Sequence, residues 1–357
     1  MSAGATQDRP LIVLQSFPEP RPTTNPYIVM LRRCLAGTPG IVLEPFTWRR
    51  FVLGRFDVFH VHWLEVHLGG PSRLKNAVRQ LLVLIGLVRL RALRRPLVRT
   101  MHNLKLPSDI SRRERFLLRL AERWTTLRIV INEATPASDQ GPVTTILHGH
   151  YRDWFTTPPV PVRPGRLAFF GQIRRYKNVD GLLAAFRETT DAGQELSLRV
   201  VGRPTSPGLA AELRTAAASD PRVTLDLGFV EDADLVAEIT AAELVVLPYR
   251  EMHNSGSSLT ALSLGRPVLV PDNAANRTLA AEVGAGWVLR YPGELTGDAL
   301  LGGLARLRTS PPAAPPDLHR RNWDCSGNAH LAAYRRAVSI ARGAPETDDG
   351  DPVSAGS

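Results

Sequence analysis

The feature that most constrains the fold is the regular alternation of short apolar segments and helix-like segments in the second half of the chain. The predicted strands are Leu167–Phe170, Leu196–Val201, Val223–Leu227, Leu244–Leu247, Val268–Val270 and Trp287–Leu289. Helical apolar spacing falls between them, at residues 179–188, 208–218, 233–241, 256–264 and 277–283. Because strands joined by crossover helices build parallel sheets, this half predicts a doubly wound α/β domain.

The first half shows the same alternation, and 357 residues are enough for two domains with separate cores. Its predicted strands are Leu11–Gln15, Asp57–Trp63, Leu97–Met101, Leu127–Asn132 and Val143–Leu147. A proline-rich stretch at 156–165 reads as the linker. We therefore predict an N-terminal Rossmann-like domain over 1–155, a second over 166–310, a final helix over 317–341, and an acidic tail over 342–357 that we expect to be disordered.

Two turns in the second half have the composition of anion sites. In the first, the strand ending at Phe170 runs into Gly171 and Gln172, and a basic loop with Arg174, Arg175 and Lys177 follows. In the second, a strand is followed by Tyr249, Glu251, Asn254, Ser255, Gly256 and Ser257, which lead into a helix. Free N–H groups at a helix start attract anions, and nearby cations add to the attraction. Together the two turns predict a diphosphate clamp, whereas either one alone is equally consistent with a surface loop.

Histidines mark the strand ends of the first half. His62 closes the strand that also contains His60, and His102 directly follows Leu97–Met101. Such residues could perform acid–base or hydroxyl-binding work, although each could instead be a packing histidine. Asn25, just before a predicted helix at Tyr27–Leu35, could line the ligand edge of the sheet or cap the helix, or both.

The positive charge is concentrated in the first half. Residues 1–150 hold 22 Lys and Arg against 10 Asp and Glu, whereas the whole chain has a net charge of only +10. The segment Ser72–Arg95 places arginines around a very apolar core, which suits the headgroup region of an anionic bilayer. Alternatively it is a domain helix whose arginines extend from a buried face to water. Its longest uncharged apolar run, Gln80–Val88, is too short for a membrane span, and no nucleic-acid-binding signature is present.

Several of these motifs, in this order, resemble GT-B-fold glycosyltransferases of the family-4 type that use nucleotide sugars. The matching stretches are Phe169–Lys177, Gly228-Phe229-Val230, Leu247–Gly256 and Leu264–Val268, with Asp57–His62, Thr100–Asn103 and His148-Gly149 in the first half. The resemblance spans roughly residues 10 to 340. It implies two Rossmann-like domains facing a cleft, with the donor on the second domain and the acceptor on the first.

The resemblance also implies roles for individual residues. Lys177 corresponds to the family's diphosphate-binding lysine, while Gln172 stands where an arginine is usual, so Arg174 or Arg175 would replace that arginine. Gly228, Phe229 and Val230 would border the nucleotide base. Relatives often carry two glutamates around the second turn, and here Glu251 matches the first but Thr260 replaces the second. That replacement puts a retaining mechanism in doubt.

We therefore predict a metal-independent hexosyltransferase, peripheral at the cytoplasmic face of the cell membrane, that transfers a sugar to a lipid-linked or glycan acceptor. Its resemblance to bacterial surface-polysaccharide mannosyltransferases favours GDP-mannose as donor. His102, His62 and Lys177 are the predicted catalytic residues. The alternatives are a UDP-sugar-dependent transferase and a non-catalytic membrane-associated binder. A dinucleotide enzyme is disfavoured because no GxGxxG motif follows the first strand. Cys34 and Cys325 lie far apart, which favours a reducing compartment.

Overall fold

The computed structural model describes residues 9–21, 23–70, 72–102, 110–135, 141–189, 195–250, 252 and 256–343. The chain divides into two compact units, each built on its own sheet. The first comprises the described parts of residues 1–131, 136–147 and 323–357, and the second those of 132–135 and 148–322.

The first unit is a parallel sheet with strand order β2-β1-β3-β4-β5-β6. Its strands are β1 (Leu11–Gln15), β2 (Ile41–Glu44), β3 (Val58–Val61), β4 (Leu97–Met101), β5 (Leu127–Val130) and β6 (Val143–Thr145). Its helices up to β6 are α1 (Pro26–Gly37), α2 (Trp48–Leu53), α3 (Arg73–Ala92) and α4 (Arg112–Arg123). This order places the carboxyl ends of β1, β3 and β4 side by side, where His60 of β3, His62 directly after β3 and His102 directly after β4 are found.

Three local features of this unit bear on the sequence predictions. The Asn25 side chain accepts a hydrogen bond from the Tyr27 N–H, so Asn25 caps α1 with Pro26 as the first helical residue. β2 and α2 have no counterpart among the predicted elements. β2 is only four residues long and lies between Gly40 and Pro45, and a segment that short gives little periodic signal.

Helix α3 is buried along one side. Val83, Leu87 and Leu90 are buried in the core, and Ser72 caps the first turn by accepting from the Lys75 N–H. Gly86 permits the close approach to α2, because a Cβ there would lie 2.0 Å from a ring carbon of Phe51. The buried face therefore matches the domain-helix interpretation of this segment.

The opposite side of α3 is apolar as well. Five residues spaced three or four apart are 41 to 75 % exposed: Leu74, Val78, Leu81, Ile85 and Val88. This spacing puts them on one face of the helix, which we call the α3 stripe. The helix contains no acidic residue. Among the helices in the described ranges, none combines the length and apolar content needed to cross a bilayer.

The end of α3 has an unusual residue in its cap. The Arg95 N–H donates to the Leu90 carbonyl and the Arg94 N–H to the Arg91 carbonyl, which is the Schellman pattern. Arg94 takes the left-handed position of that motif, at φ +49°. Glycine is favoured there, and a residue with a Cβ costs about 1 kcal/mol more. Position 94 therefore holds an arginine at some expense of stability.

The second unit is also a parallel sheet, with order β12-β11-β10-β7-β8-β9. Its strands are β7 (Arg166–Phe170), β8 (Ser197–Val201), β9 (Val223–Asp226), β10 (Leu244–Val246), β11 (Val268–Pro271) and β12 (Val288–Tyr291). Its helices are α5 (Val179–Arg187), α6 (Pro207–Ala217), α7 (Asp232–Thr240), α8 (Gly256–Ser263), α9 (Ala274–Val283) and α10 (Gly297–Thr309). The two parallel, doubly wound sheets confirm the predicted fold class.

The last helix, α11 (Trp323–Arg342), belongs to the first unit, where it packs against α1, β3 and β4. The sequence predicts a start at residue 317. The helix begins later because a short 3-10 turn at His319–Arg321 ends in Asn322, whose backbone is extended. Tyr334 and His330 of α11 are fully or nearly fully buried.

Candidate functional site

The first part of the candidate site lies at the carboxyl end of β7. Gly171 follows the strand with φ +105°, a conformation that glycine adopts readily. A Cβ at this position would lie 3.5 Å from both the Nζ of Lys177 and the Oγ of Ser257. The side chains predicted for the two anion-binding turns therefore meet at Gly171. β7 and β10 are paired neighbours in the sheet, which explains why the turns that follow them come together.

Lys177 is a buried cation. Lys177 is the last residue of a 3-10 turn (Arg175–Lys177), and it is 8 % exposed. The Nζ lies 4.9 Å from the ring centroid of Tyr249, and it forms no ion pair or hydrogen bond with the described residues. Burial, and secondarily the charge of Arg174, lower the pKa of Lys177 from 10.5 to about 8. An anion bound next to Nζ would favour the charged form of Lys177 and so offset the cost of burying the ammonium group.

The start of α8 forms the other side of this group. The Tyr249 hydroxyl donates to the Oγ of Ser257 at 3.0 Å, which orients the Ser257 side chain. A Cβ on Gly256 would lie 3.3 Å from the Tyr151 hydroxyl and 3.9 Å from the Nε2 of His148. Space beside the first α8 N–H groups thus depends on glycine at 256. The N–H groups at a helix start are suited to phosphate oxygens.

Thr260 does not take over the role of a carboxylate. Its hydroxyl donates to the Gly256 carbonyl at 2.9 Å, inside the same helix, and the residue is buried. Three predicted residues of this turn, Glu251, Asn254 and Ser255, lie outside the described residues.

The other predicted donor-side residues are exposed. The Arg174 guanidinium donates to Gln172 Oε1 at 2.9 and 3.1 Å. Arg175 instead forms a two-pronged ion pair with Glu212 of α6, at 2.8 and 2.9 Å. Neither arginine is brought to Gly171 in this arrangement.

The predicted base-binding residues follow β9. Gly228 and Val230 are partly exposed, and the Phe229 side chain between them is 68 % exposed. An exposed phenylalanine ring can stack on a planar base. Among the described residues, no contact joins Phe229 to Lys177 or Ser257.

The second part of the candidate site lies in the first unit, at the ends of β3 and β4. His62 Nδ1 and His102 Nε2 are 3.1 Å apart. The Trp63 ring stacks on His102 with a centroid distance of 4.1 Å, and Tyr27 meets His102 edge-on at 5.4 Å. His102 is partly exposed, whereas His62 is 6 % exposed. Both predicted histidines are therefore in one cluster.

His60 packs against this cluster on its buried side. Its Nε2 lies 2.8 Å from the Thr100 hydroxyl, and its Nδ1 lies 2.7 Å from the Tyr334 hydroxyl. Because the Gln15 amide also donates to Nδ1 at 3.3 Å, Nδ1 is an acceptor and the proton resides on Nε2. The His60 ring is 4.4 Å from that of His62. This geometry agrees with the packing alternative for His60.

Burial keeps these imidazoles neutral. The pKa of His60 and that of His62 both lie well below 6.5, first because of desolvation and then because of neighbouring histidines. His62 Nε2 is buried and has no hydrogen-bond partner among the described residues. A neutral imidazole at a strand end can accept a proton from a hydroxyl group.

Tyr334, Gln15 and Tyr151 do not appear among the sequence-predicted site residues. Tyr334 is 274 residues from His60 in sequence, so no local pattern connects them. Tyr151 is only three residues beyond His148, which the resemblance did single out. Among the described residues, no group of three or more His, Cys, Asp or Glu side chains could hold a metal ion.

Comparison with known proteins finds a matching family and several relatives. The family described as "Glycosyl transferases group 1" matches residues 164–300. A GDP-mannose:glycolipid 4-beta-D-mannosyltransferase of Xanthomonas campestris pv. campestris is 43 % identical over 332 residues, covering 92 % of this chain and 93 % of that protein. A D-inositol 3-phosphate glycosyltransferase of Segniliparus rotundus is 28 % identical over 181 residues, covering 48 % of this chain and 40 % of that protein.

Two solved structures illustrate the shared fold. Sucrose-phosphate synthase from Thermosynechococcus elongatus superposes with a TM-score of 0.58 at 15 % identity, covering 94 % of this chain and 97 % of that one. Anabaena HepE in complex with UDP-glucose gives a TM-score of 0.56 at 17 % identity, covering 93 % and 98 %. At this level of identity the likeness concerns the fold alone.

Proposed function

Because this chain belongs to the group 1 family of glycosyltransferases, we propose that it transfers mannose from GDP-mannose to a glycolipid acceptor. The enzyme class agrees with the sequence prediction. The observation that carries the choice of donor and acceptor is the 43 % identity, over 92 % of this chain, to a protein named for that reaction. The buried Lys177 supports a substrate with a diphosphate.

The donor diphosphate is assigned to the group around Gly171. The Lys177 ammonium, the Ser257 hydroxyl and the first N–H groups of α8 lie on two adjoining turns, and each can donate to a phosphate oxygen. Charge accumulates on the diphosphate as its bond to the sugar breaks. Donors fixed in place before that step stabilise the departing GDP. The Tyr151 hydroxyl, beside Gly256, adds a further donor.

The remaining predicted donor-side residues are proposed to act at the edge of this group. Arg174 and Arg175 are exposed and can turn toward bound nucleotide, although Arg175 must first leave Glu212. Phe229, with Gly228 and Val230, would pack on the guanine base. Glu251, Asn254 and Ser255 stay predictions from the sequence.

The linkage named for the Xanthomonas relative is β. Since the mannose of GDP-mannose is α-linked, a β product requires inversion at C1. An inverting transfer needs a base for the acceptor hydroxyl and no carboxylate below the sugar ring. Thr260, whose hydroxyl is engaged within α8, is consistent with that requirement. We therefore assign inversion to this chain.

The base is assigned to the histidine pair. The acceptor O–H proton moves to His102, the acceptor oxygen forms its bond to C1, and the C1–O bond to GDP breaks with its electron pair on the phosphate. His62 Nδ1 holds the His102 ring at 3.1 Å, and Trp63 stacks on it. His102 is chosen over His62 because His62 Nε2 is buried.

The reaction is proposed to take place at the inner face of the cell membrane. The α3 stripe exposes five large apolar side chains on a helix without acids, and the first half of the chain is strongly basic. Such a face inserts between headgroups, while arginines attract anionic lipid. The thiols of Cys34 and Cys325 are unpaired, which agrees with a reducing compartment.

The transfer is tested with purified protein, GDP-mannose and a glycolipid extract. We expect sugar incorporation from GDP-mannose and none from UDP-glucose, and an axial-versus-equatorial assignment of the new anomeric bond by NMR should give the β form. Incorporation from UDP-sugars alone would refute the donor assignment. An α-linked product would refute inversion.

The membrane proposal is tested by flotation with vesicles of phosphatidylcholine and phosphatidylglycerol. Replacing Leu81 and Ile85 with glutamine should reduce flotation without lowering the melting temperature, because both side chains already face solvent. The matched control replaces two exposed valines of the second unit, Val160 and Val162. Equal flotation of all three proteins would refute a role for the α3 stripe.

A further inference from the structure

A cavity lies in the first unit, away from the histidine cluster. Its volume is about 630 Å³, and the ends of α3, α4 and α11 surround it together with the starts of β4 and β5. β4 begins at the cavity with Leu97 and ends at Met101, just before His102. A five-residue strand spans about 16 Å, so the cavity and the proposed base occupy opposite edges of the sheet.

The cavity has the chemistry of an amphiphile site. Leu87, Leu90, Leu120 and Trp124 contribute apolar surface, which is more than a simple anion requires. Four arginines also line it, and within the part of the chain that the structure describes no acidic side chain does: the arginines are Arg91, Arg94, Arg95 and Arg123. An apolar surface edged by guanidinium groups matches a phosphate attached to an acyl-bearing glycerol.

These arginines have few partners inside the protein. Arg91, Arg94 and Arg123 form no salt bridge with the described residues. Arg95 donates to the Gly54 carbonyl at 3.2 Å and lies 4.9 Å above the Phe56 ring. Burial and then the neighbouring charge of Arg89 lower the pKa of Arg95. The nearby charge of Asp57 acts on Arg95 in the opposite direction, so the positive potential rests mainly on the three arginines that form no salt bridge with the described residues.

Arginine near the end of a helix also complements the helix dipole, so charge alone would not distinguish a site from a helix end. Arg94 provides the independent observation. It occupies the left-handed position of the α3 cap, where glycine would be more stable. Residues kept in strained backbone positions are concentrated at functional sites. An arginine at this position therefore indicates a ligand for its side chain.

We propose that this cavity binds the headgroup phosphate of one anionic phospholipid, with the start of its acyl chains on the leucine and tryptophan surface. The α3 stripe lies on the opposite face of this helix from Leu87 and Leu90, which line the cavity, so the stripe and the cavity are separate features. The other possible occupant is the acidic segment 344–357, which follows Ile340 and Ala341 of the cavity wall. That segment has almost no large apolar side chain to cover the leucines, which favours lipid.

The first test uses a lipid that needs no membrane. Soluble dihexanoyl-phosphatidylglycerol should bind the wild-type protein and change the fluorescence of Trp124, while inorganic phosphate at the same concentration should bind much more weakly. Trp124→Phe should lose the fluorescence change. Equal binding of free phosphate would show an anion site only, and would overturn the lipid assignment.

The second test uses Arg94→Gly, which separates binding from folding. We expect a melting temperature higher by about 2 °C together with weaker lipid binding. Adding Arg91→Gln and Arg123→Gln should reduce binding further, by more than about tenfold, since each arginine near such a headgroup is worth about fivefold. The charge-matched control replaces three exposed arginines that do not line the cavity: Arg21, Arg49 and Arg112. If Arg94→Gly stabilises the protein but binds lipid normally, the proposal is wrong.

The third test addresses the acidic segment. A chain ending at Gly343 should bind the soluble lipid at least as well as the full chain. If only the shortened chain binds the soluble lipid, residues 344–357 occupy the cavity in the full chain and the lipid proposal fails. Mannose transfer to a water-soluble acceptor should be unchanged in all cavity variants, so failure of this inference and failure of the proposed transferase activity are separate results.

Discussion

Replacing Lys177 with methionine should stabilise the free protein and remove most of its affinity for the donor. Methionine keeps the unbranched stem of lysine but carries no charge. Burial lowers the pKa of Lys177 from 10.5 to about 8. At about 1.4 kcal/mol for each pKa unit, the buried charge costs about 3 kcal/mol of folding free energy at neutral pH.

The pH dependence follows from the same pKa values. Below pH 8 both the folded and the unfolded wild type carry the proton, so the full cost is present. Between pH 8 and 10.5 the folded protein has lost the proton while the unfolded chain still binds it. The stability of the wild type should therefore rise toward that of the variant across this interval, and the difference in unfolding free energy should shrink.

Urea unfolding of both proteins from pH 6 to pH 10, followed by calorimetric titration with GDP, tests this reasoning. We expect the variant to bind GDP about 10- to 100-fold more weakly, which is the usual contribution of a charge-assisted hydrogen bond. Lys75→Met, on the exposed start of α3, is the matched control and should change neither quantity. A Lys177→Met protein that is no more stable than the wild type, or that binds GDP normally, would refute the assignment of Lys177.

Three further predictions concern the two halves of the reaction. Above pH 8, GDP affinity of the wild type should fall by about tenfold per pH unit as Lys177 loses its proton, whereas calorimetry should show no such slope in Lys177→Met. His102→Ala should reduce turnover at least about 100-fold with little change in donor affinity; if His62→Ala abolishes turnover and His102→Ala does not, the two roles are exchanged. Tyr151→Phe should weaken GDP binding several-fold without altering the melting temperature, and unchanged binding would exclude its hydroxyl from the donor side.

The grouping of Gly171, Lys177 and Ser257 could be predicted from the sequence because its parts are local. Gly171 and Lys177 lie in one turn, Ser257 follows another, and parallel pairing of β7 with β10 brings the two turns to one edge. The roles of Arg174 and Arg175 were harder to assign. Arg175 has Glu212 within reach only because α6 packs beside α5, and the sequence contains no periodic signal for that contact.

The surroundings of the histidine pair, which is proposed to serve the acceptor, were predictable only in part. His62 and His102 were recognisable as strand-end residues, but what lies beneath them was not. His60 is held by Tyr334, which reaches it only because α11 returns to the first unit after the whole second unit. The stripe on α3 shows a related limit. Apolar spacing indicated a helix, but only the structure shows that one apolar face is buried and the opposite one exposed.

The return of α11 has a consequence for the order of events during synthesis. The ribosome releases residues 148–322 as one continuous stretch, so the second unit can close its core while translation continues. The strands of the first unit emerge earlier. The unit nevertheless lacks the buried side chains of Tyr334 and His330 until α11, which carries them, has been synthesised. On the proposed assignment of the two sites, a nascent or prematurely ended chain would hold nucleotide before its histidine pair is supported. Coupling the last helix to the proposed catalytic edge would keep unfinished molecules inactive.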